Sequence, residues 1–344
     1  MDLAGRKAKI LNAIVEIYVK TGEPVSSKAV CNALDISVSP ATVRNDMSHL
    51  VDMGLLEQPH TSAGRIPSHL GYREYINNLK HQELSPISCY DRDFINSNLS
   101  SAFDPEHLLE EASQVLADLT KFVAISTAPP GNNSIIRKID FVQTGRHSVM
   151  MVIITSTGLI KNKLFRSDYE ITSDILKIFY CIINEKFVGV PVSSITPEFI
   201  ESSSTTLGEL LPLLSPAFEA LLETSREILG ASINLDGQNN LLFLPNFDIN
   251  GVRKIMDFLD RRDEIIKLIL QNKSQKINVL IGLESERPEL SDSSIIISRY
   301  TLRGKESGAI AIIGPTRMDY KKAITNLEYL TKTVGKLLSD ILDA

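Results

Sequence analysis

Residues 39–67, SPATVRNDMSHLVDMGLLEQPHTSAGRIP, constrain the fold more than any other stretch of the chain. Ser39 is placed as a helix N-cap, because a side-chain oxygen there satisfies one of the unpaired amides of the first turn. Pro40 follows at the first helical position, where its fixed φ suits the helix and its missing N–H is not needed. Val43, Met47, Leu50 and Val51 recur at helical spacing and make one apolar face, and Gly54 ends the helix. LLEQ (55–58) then reads as a short strand and RIP (65–67) as its return, with the turn residues PHTSAG between them. A capped helix followed at once by a small hairpin is the second half of a winged helix-turn-helix. The flanking chain supplies the rest. Residues 6–20 place Ile10, Leu11, Ile14, Ile17 and Tyr18 on one helical face and stop at Gly22 and Pro24. SSKAVCNAL begins with Ser26 as N-cap and turns Ala29, Val30, Ala33 and Leu34 inward, and HLGYREYINNLK forms a fourth helix after Ser68.

The 344 residues leave room for two or three domains of about 100–200 residues each. After the winged helix (1–85), the polar segment 81–104 reads as a linker. A long amphipathic helix follows, with Leu108, Leu109, Ala112, Val115, Leu116 and Leu119 on one face. IIRKIDFVQ, SVMMVIITS and GLIKNKLF are strand-like runs separated by turns, and so predict an antiparallel meander. Residues 191–275 turn mostly helical, and strand patterns return in INVLIGLE, SSIIISRYTL and GAIAIIGP before a long closing helix. Strands, a helical block and strands again predict an α+β multidomain protein in which one domain (100–190 and 276–344) is interrupted by another (191–275).

A helix that enters the DNA major groove needs one face to pack on its own domain and forked or short polar groups on the other. With Val43, Met47 and Leu50 packed inward, Thr42, Arg44, Asn45 and Ser48 point away. Arg bonds both acceptors of guanine, and Asn bonds a donor and an acceptor of adenine. Ser39 and Thr42 join the helix-end amides as phosphate ligands. On the hairpin, His60, Thr61, Ser62 and Arg65 form a polar tip that fits the phosphate backbone or the minor groove, with Gly64 and Arg65 placed at the tip itself. The net charge of −6 does not oppose this, because its distribution matters more. Residues 1–88 carry nine Lys/Arg against nine Asp/Glu, and the deficit lies in the remainder. A neutral segment binds DNA only through a few well-placed cations or through two copies acting together. A winged helix that docks a protein, with the acidic remainder as scaffold, is the alternative.

TGEPVSSK (21–28), SPATVRNDMSHLVDMGLLEQPHTSAGRIPS (39–68), GYREYI (71–76) and GAIAIIGPTRMDY (308–320) strongly resemble the heat-inducible transcription repressor HrcA family. The likeness covers both ends of the chain in colinear order. The family usually has Thr where Ser68 stands and Gly where Ser26 stands, both exchanges between small residues. The resemblance implies a bacterial cytoplasmic repressor of heat-shock (chaperone) genes. It implies a winged helix, a GAF-like domain and an inserted, mostly helical dimerisation domain. It also implies double-stranded DNA with an inverted-repeat operator (CIRCE) as target, and activity that depends on the GroE chaperonin. An inverted repeat calls for a two-fold homodimer. The inserted block, with Leu210, Leu214, Phe218, Leu221 and Leu222 on apolar helical faces, is then the candidate contact.

Other signals carry less. Asp257, Asp260, Asp263 and Glu264 alternate with Arg253, Arg261 and Arg262, the pattern of a solvated helix face rather than a metal site. GPTR (314–317) precedes a helix and is able to cradle an anion, but it lacks the glycine spacing and Lys of a phosphate loop and reads as a strand-to-helix turn. Cys31, Cys89 and Cys181 form no paired motif and read as reduced. No catalytic constellation, cofactor or membrane span is indicated, and the N-terminus MDLAGRKAKI has no signal-peptide core, so a cytoplasmic non-enzyme is expected. The runs LLPLL (210–214) and LLFLP (241–245) are hazardous if heat exposes them, and are candidate chaperonin handles.

Overall fold

The structure, a computed structural model, describes residues 5–34, 38–60, 63–80, 85–102, 104–128, 134–205, 207–230, 232–245, 247–271, 277–302 and 305–343. The N-terminal unit contains α1 (Gly5–Thr21), α2 (Ser27–Ala33), α3 (Pro40–Asp52), the hairpin strands β1 (Leu56–Glu57) and β2 (Ile66–Pro67), and α4 (His69–Lys80). Ser26 and Ser39 cap α2 and α3, accepting from Ala29 N and Thr42 N. Gly54 takes a φ of 72°, the left-handed backbone that stops α3 and aims the chain into β1. Ile10, Leu11, Ile14, Val30, Leu50 and Ile76 are wholly buried at the centre of this unit. Each such side chain stabilises the fold by about 1.5–3 kcal/mol relative to exposure.

The expected linker contains a helix, α5 (Cys89–Leu99), capped by Ser88 and burying Ile95 and Leu99. Helix α6 (Pro105–Thr120) follows and leads into β3 (Val123–Thr127). The GAF-like body is built on a five-stranded antiparallel sheet of order β7-β3-β10-β9-β8, with β7 Ile233–Asp236, β8 Ile277–Ile281, β9 Ser293–Leu302 and β10 Lys305–Pro315. Every residue of β3 is buried, because the sheet is covered on both faces. Ala124, Ile296, Ile310 and Ile312 share a core with α6 and the closing helix α12 (Tyr320–Asp343). Val123, Ile125, Ile295, Ala311 and Ile313 pack instead with α10 (Ile249–Leu259) and α11 (Arg262–Gln271).

Between β3 and β7 lies a separate unit. Strands β4 (Ile136–Gln143), β5 (Ser148–Thr155) and β6 (Ile160–Arg166) form the expected antiparallel meander in the order β4-β5-β6. One face of it is covered by α7 (Ser173–Phe187) and α9 (Leu211–Leu229), with α8 (Pro197–Ser204) beside them. The unit between β3 and β7 has limits that differ from 191–275. The meander belongs inside it, because Ile139, Met151, Ile153 and Phe165 share a core with Phe179 and Leu221. Strand β7 and helices α10 and α11 belong outside it, because β7 pairs with β3 and the two helices cover the main sheet. Among the expected dimer residues, Leu214, Phe218 and Leu221 are 0%, 3% and 0% exposed and fill this core. That placement corrects their assignment to a contact between chains. Leu222 is half-buried and Leu210 is 38% exposed.

The winged helix is docked on the GAF-like body. Arg73 of α4 donates from Nε to Glu284 Oε1 at 2.8 Å and from Nη2 to the Val279 carbonyl at 2.6 Å. Lys321 of α12 pairs with Glu16 of α1, and the rings of Tyr72 and Tyr320 lie 5.9 Å apart.

Candidate nucleic-acid interface

Helix α3 buries Val43, Met47 and Leu50 and leaves Arg44, Asn45 and Ser48 exposed. The apolar period fixes this division, since residues three and four apart share a face. Ser39 Oγ also lies 3.0 Å from Thr42 Oγ1, so both hydroxyls are engaged at the helix start and Thr42 is half-buried. Ser48 donates back to the Arg44 carbonyl at 3.1 Å, an intrahelical bond that a better acceptor can replace.

Asp46, an acid to which the sequence pattern assigns no role, is buried among these positions. Its carboxylate is buried and accepts two bonds from Arg6 of α1, at 2.7 Å from Nε and 3.2 Å from Nη2. The bonds to Asp46 hold the Arg6 guanidinium above its ordinary value. The pair fastens α3 to α1 and cancels a negative charge that would otherwise stand beside DNA phosphates. Its one sequence signal is an acid inside the apolar register, three residues after Val43 and four before Leu50.

The hairpin pairs Leu56 with Pro67 and Glu57 with Ile66, and Val25 adds a bridge to Arg65. Gly64 sits against that bridge: a Cβ there would lie 2.4 Å from the Val25 carbonyl oxygen, so only glycine allows the close approach. Arg65 is therefore not at the tip. It stands at the wing base, half-buried, with Nη1 near the Ala63 and Gly64 carbonyls at 3.4 and 3.5 Å and with Nε buried without a partner. His60 is exposed on the wing, while Thr61 and Ser62 lie outside the described residues.

Arg44 and Arg65 meet across one cleft of about 380 Å³ between α3 and the wing, whose lining includes Ser26, Met47 and Gln58. Gln58 carries no sequence signal for this role. The structure thus brings two guanidinium groups from separate elements to one opening, with Asn45 and Ser48 exposed on the same helix. An Arg fork matches the acceptors of guanine and of phosphate alike.

A polar recognition helix, a wing beside it and an α+β body behind define a winged-helix DNA-binding transcription regulator. Comparison with known proteins agrees. A family model described as "Winged helix-turn-helix transcription repressor, HrcA DNA-binding" matches residues 2–82, and "HrcA protein C terminal domain" matches 106–324. The heat-inducible transcription repressor HrcA of Alkaliphilus metalliredigens is 34% identical over 340 residues, covering 98% of both chains. That of Geobacter sulfurreducens is 35% identical over 341 residues, again with 98% of each covered. The chain belongs to the heat-inducible transcription repressor HrcA family. A crystal structure of a hypothetical protein is similar in fold, with a TM-score of 0.69 at 20% identity, covering 99% of this chain and 100% of that one.

Proposed function

We propose that this repressor binds an inverted-repeat operator of the CIRCE kind upstream of chaperone genes, acts in the cytoplasm as a homodimer, and is modulated by the GroE chaperonin. The observation that carries the operator contact is the cleft shared by Arg44 and Arg65. Arg44, with Asn45 beside it, reads base edges in the major groove. Arg65 holds a phosphate and sets the register of α3 on the duplex.

The dimer contact is assigned to the outer face of the meander. Strand β5 carries apolar residues on both faces. Val149, Met151 and Ile153 point to the helices, whereas Met150, Val152 and Ile154 alternate with them on the other side and are half-buried. Their cross-strand partners include Leu164, opposite Met150, and Ile160, opposite Ile154, at 62% and 53% exposed. Val142, opposite Met150 on the other flank, is 46% exposed. A central strand apolar on both sides is completed by burying the second, and a second copy brings the same face by two-fold symmetry. The chaperonin contact is assigned to the turn after β7 and the start of α10, where Leu242, Phe243 and Ile249 are 57%, 83% and 75% exposed.

The test is a gel shift with the inverted repeat against a scrambled duplex of equal length, with and without chaperonin. A retarded band specific to the repeat, strengthened by chaperonin, is expected. Equal affinity for the two duplexes would leave the winged helix as a protein-docking module.

A further inference from the structure

Behind the wing lies a second cleft, of about 320 Å³, within the ~300–1,000 Å³ range of small-ligand sites. The winged helix contributes Tyr18, His69 and Tyr72 to it, and the GAF-like body contributes Asp292, Thr316 and Arg317. We propose that this cleft binds a tetrahedral oxyanion, either inorganic phosphate or the phosphoryl end of a small metabolite, held by Arg317, Tyr72 and Thr316. The site is independent of the operator contact.

Among the described residues, three donors on this cleft have no hydrogen-bond acceptor. Arg317 is half-buried with its guanidinium 5.7 Å above the Tyr18 ring, and no carboxylate pairs with it among the described residues. Tyr72 is 4% exposed, and its hydroxyl is buried without a hydrogen-bond partner. The Thr316 hydroxyl is buried and unpartnered as well. The neighbouring phenol shows the contrast: Tyr320 donates to the Thr316 carbonyl at 2.7 Å and lies 2.7 Å from Ser294 Oγ. The Thr316 amide is committed too, to the Asp292 carbonyl at 3.0 Å. The backbone around the site is therefore fixed, and only side-chain donors are left over.

Buried polar groups are almost always paired, and leaving one unpaired is destabilising. A set made of an Arg fork and two hydroxyls asks for an acceptor with several lone pairs. A tetrahedral oxyanion offers one oxygen to each, and the guanidinium takes it bidentately. The carboxylates of Asp292 and Glu57 also border the cleft, but both residues are exposed, so solvent screens them. Tyr72 belongs to α4 and Arg317 precedes α12, so a bound anion bridges the winged helix and the GAF-like body.

The experiment is calorimetric titration of the full chain with inorganic phosphate, sulfate and acetate at constant ionic strength. Saturable 1:1 binding of phosphate and sulfate, and none of acetate, is expected. Arg317→Gln and Tyr72→Phe should each weaken phosphate by about tenfold or more, the scale of one charge-assisted hydrogen bond. Ligand-free Tyr72→Phe should unfold no earlier than wild type, since the lost hydroxyl had no partner, so this variant decides even if Arg317→Gln folds poorly. Arg44→Ala and Arg65→Ala should titrate like wild type. Glycerol 3-phosphate binding more tightly than phosphate assigns the site to a metabolite, and the reverse assigns it to the free ion. Absence of saturable phosphate binding overturns the proposal. So does binding that survives both Tyr72→Phe and Arg317→Gln, or binding that is abolished by Arg44→Ala.

Discussion

Replacing Arg44 and Arg65 by alanine, one at a time, separates base reading from backbone holding. Arg44 is exposed on α3, outside the buried row of Val43, Met47 and Leu50, so its truncation should change folding stability by no more than about 0.5 kcal/mol. A bidentate base contact contributes ~1–3 kcal/mol of discrimination. The proposed two-fold dimer would use the contact twice, so operator affinity should fall by about 2–6 kcal/mol, or roughly 30-fold to 10⁴-fold. Affinity for a random duplex should barely move. Arg65 behaves differently if its guanidinium, held only by long contacts to Ala63 and Gly64, turns to a phosphate. Each phosphate contact contributes ~0.9 to the slope of log K against log salt, so Arg65→Ala should flatten the slope by about 1.8 per dimer and weaken both duplexes alike. Fluorescence anisotropy of labelled operator and scrambled duplex over a salt series measures all four quantities. The reasoning is refuted if Arg44→Ala weakens both duplexes equally. It is also refuted if Arg65→Ala leaves the slope unchanged while operator preference drops.

Leu164→Lys together with Ile160→Lys should yield a folded monomer by sedimentation that binds the full repeat no better than a half-site, an avidity loss of ~10²–10⁴-fold; a persistent dimer would move the contact elsewhere. Leu221→Ala, wholly buried between α9 and the meander, should cost about 2–5 kcal/mol in urea denaturation. Its dimer should persist below the transition, and dissociation without loss of stability would return Leu221 to the interface. Gly64→Ala places a Cβ 2.4 Å from the Val25 carbonyl and should destabilise the wing by about 1–3 kcal/mol. Hydrogen exchange at the Val25 and Arg65 amides, which bond each other's carbonyls at 2.9 Å, reports that loss directly.

The winged helix was legible because its signals are local. Ser39, Pro40 and Gly54 each act on the next few residues, and the structure keeps each in its expected role. The insertion was legible in kind but not in extent, because its limits depend on β3 pairing with β7 across the whole inserted unit. Nothing local in INLD announces that partner. An excision drawn at 191–275 would remove β7, α10 and α11 from the main sheet while leaving the meander without α9. Arg65 was misplaced for the same reason: its position depends on Val25, forty residues earlier, whose bridge turns a tip residue into a basal one. The role of Asp46 is not legible in the sequence, because a buried acid makes sense only with Arg6 beside it. Leu214, Phe218 and Leu221 fill a core instead, because helical apolar spacing shows that a face is buried without showing against what. The run VMMVII held a better clue, since a strand apolar on both sides needs two covers.

The strand order of the main sheet has a consequence in time. Strand β3 lies between β7 and β10, and Ala124 pairs with Asp236 on one side and with Ile312 on the other. The second partner emerges from the ribosome roughly 190 residues after Ala124 itself, about 10–40 s later at ~5–20 residues per second. Throughout that interval VAIST, buried to the last residue in the finished sheet, has neither of its covers complete. Such non-local pairing makes for slow folding, because loop closure is paid before any contact rewards it. The winged helix, made of near neighbours, is finished long before the body on which it docks. Each new molecule therefore passes through a stage with an assembled DNA-binding head and an open sheet edge behind it.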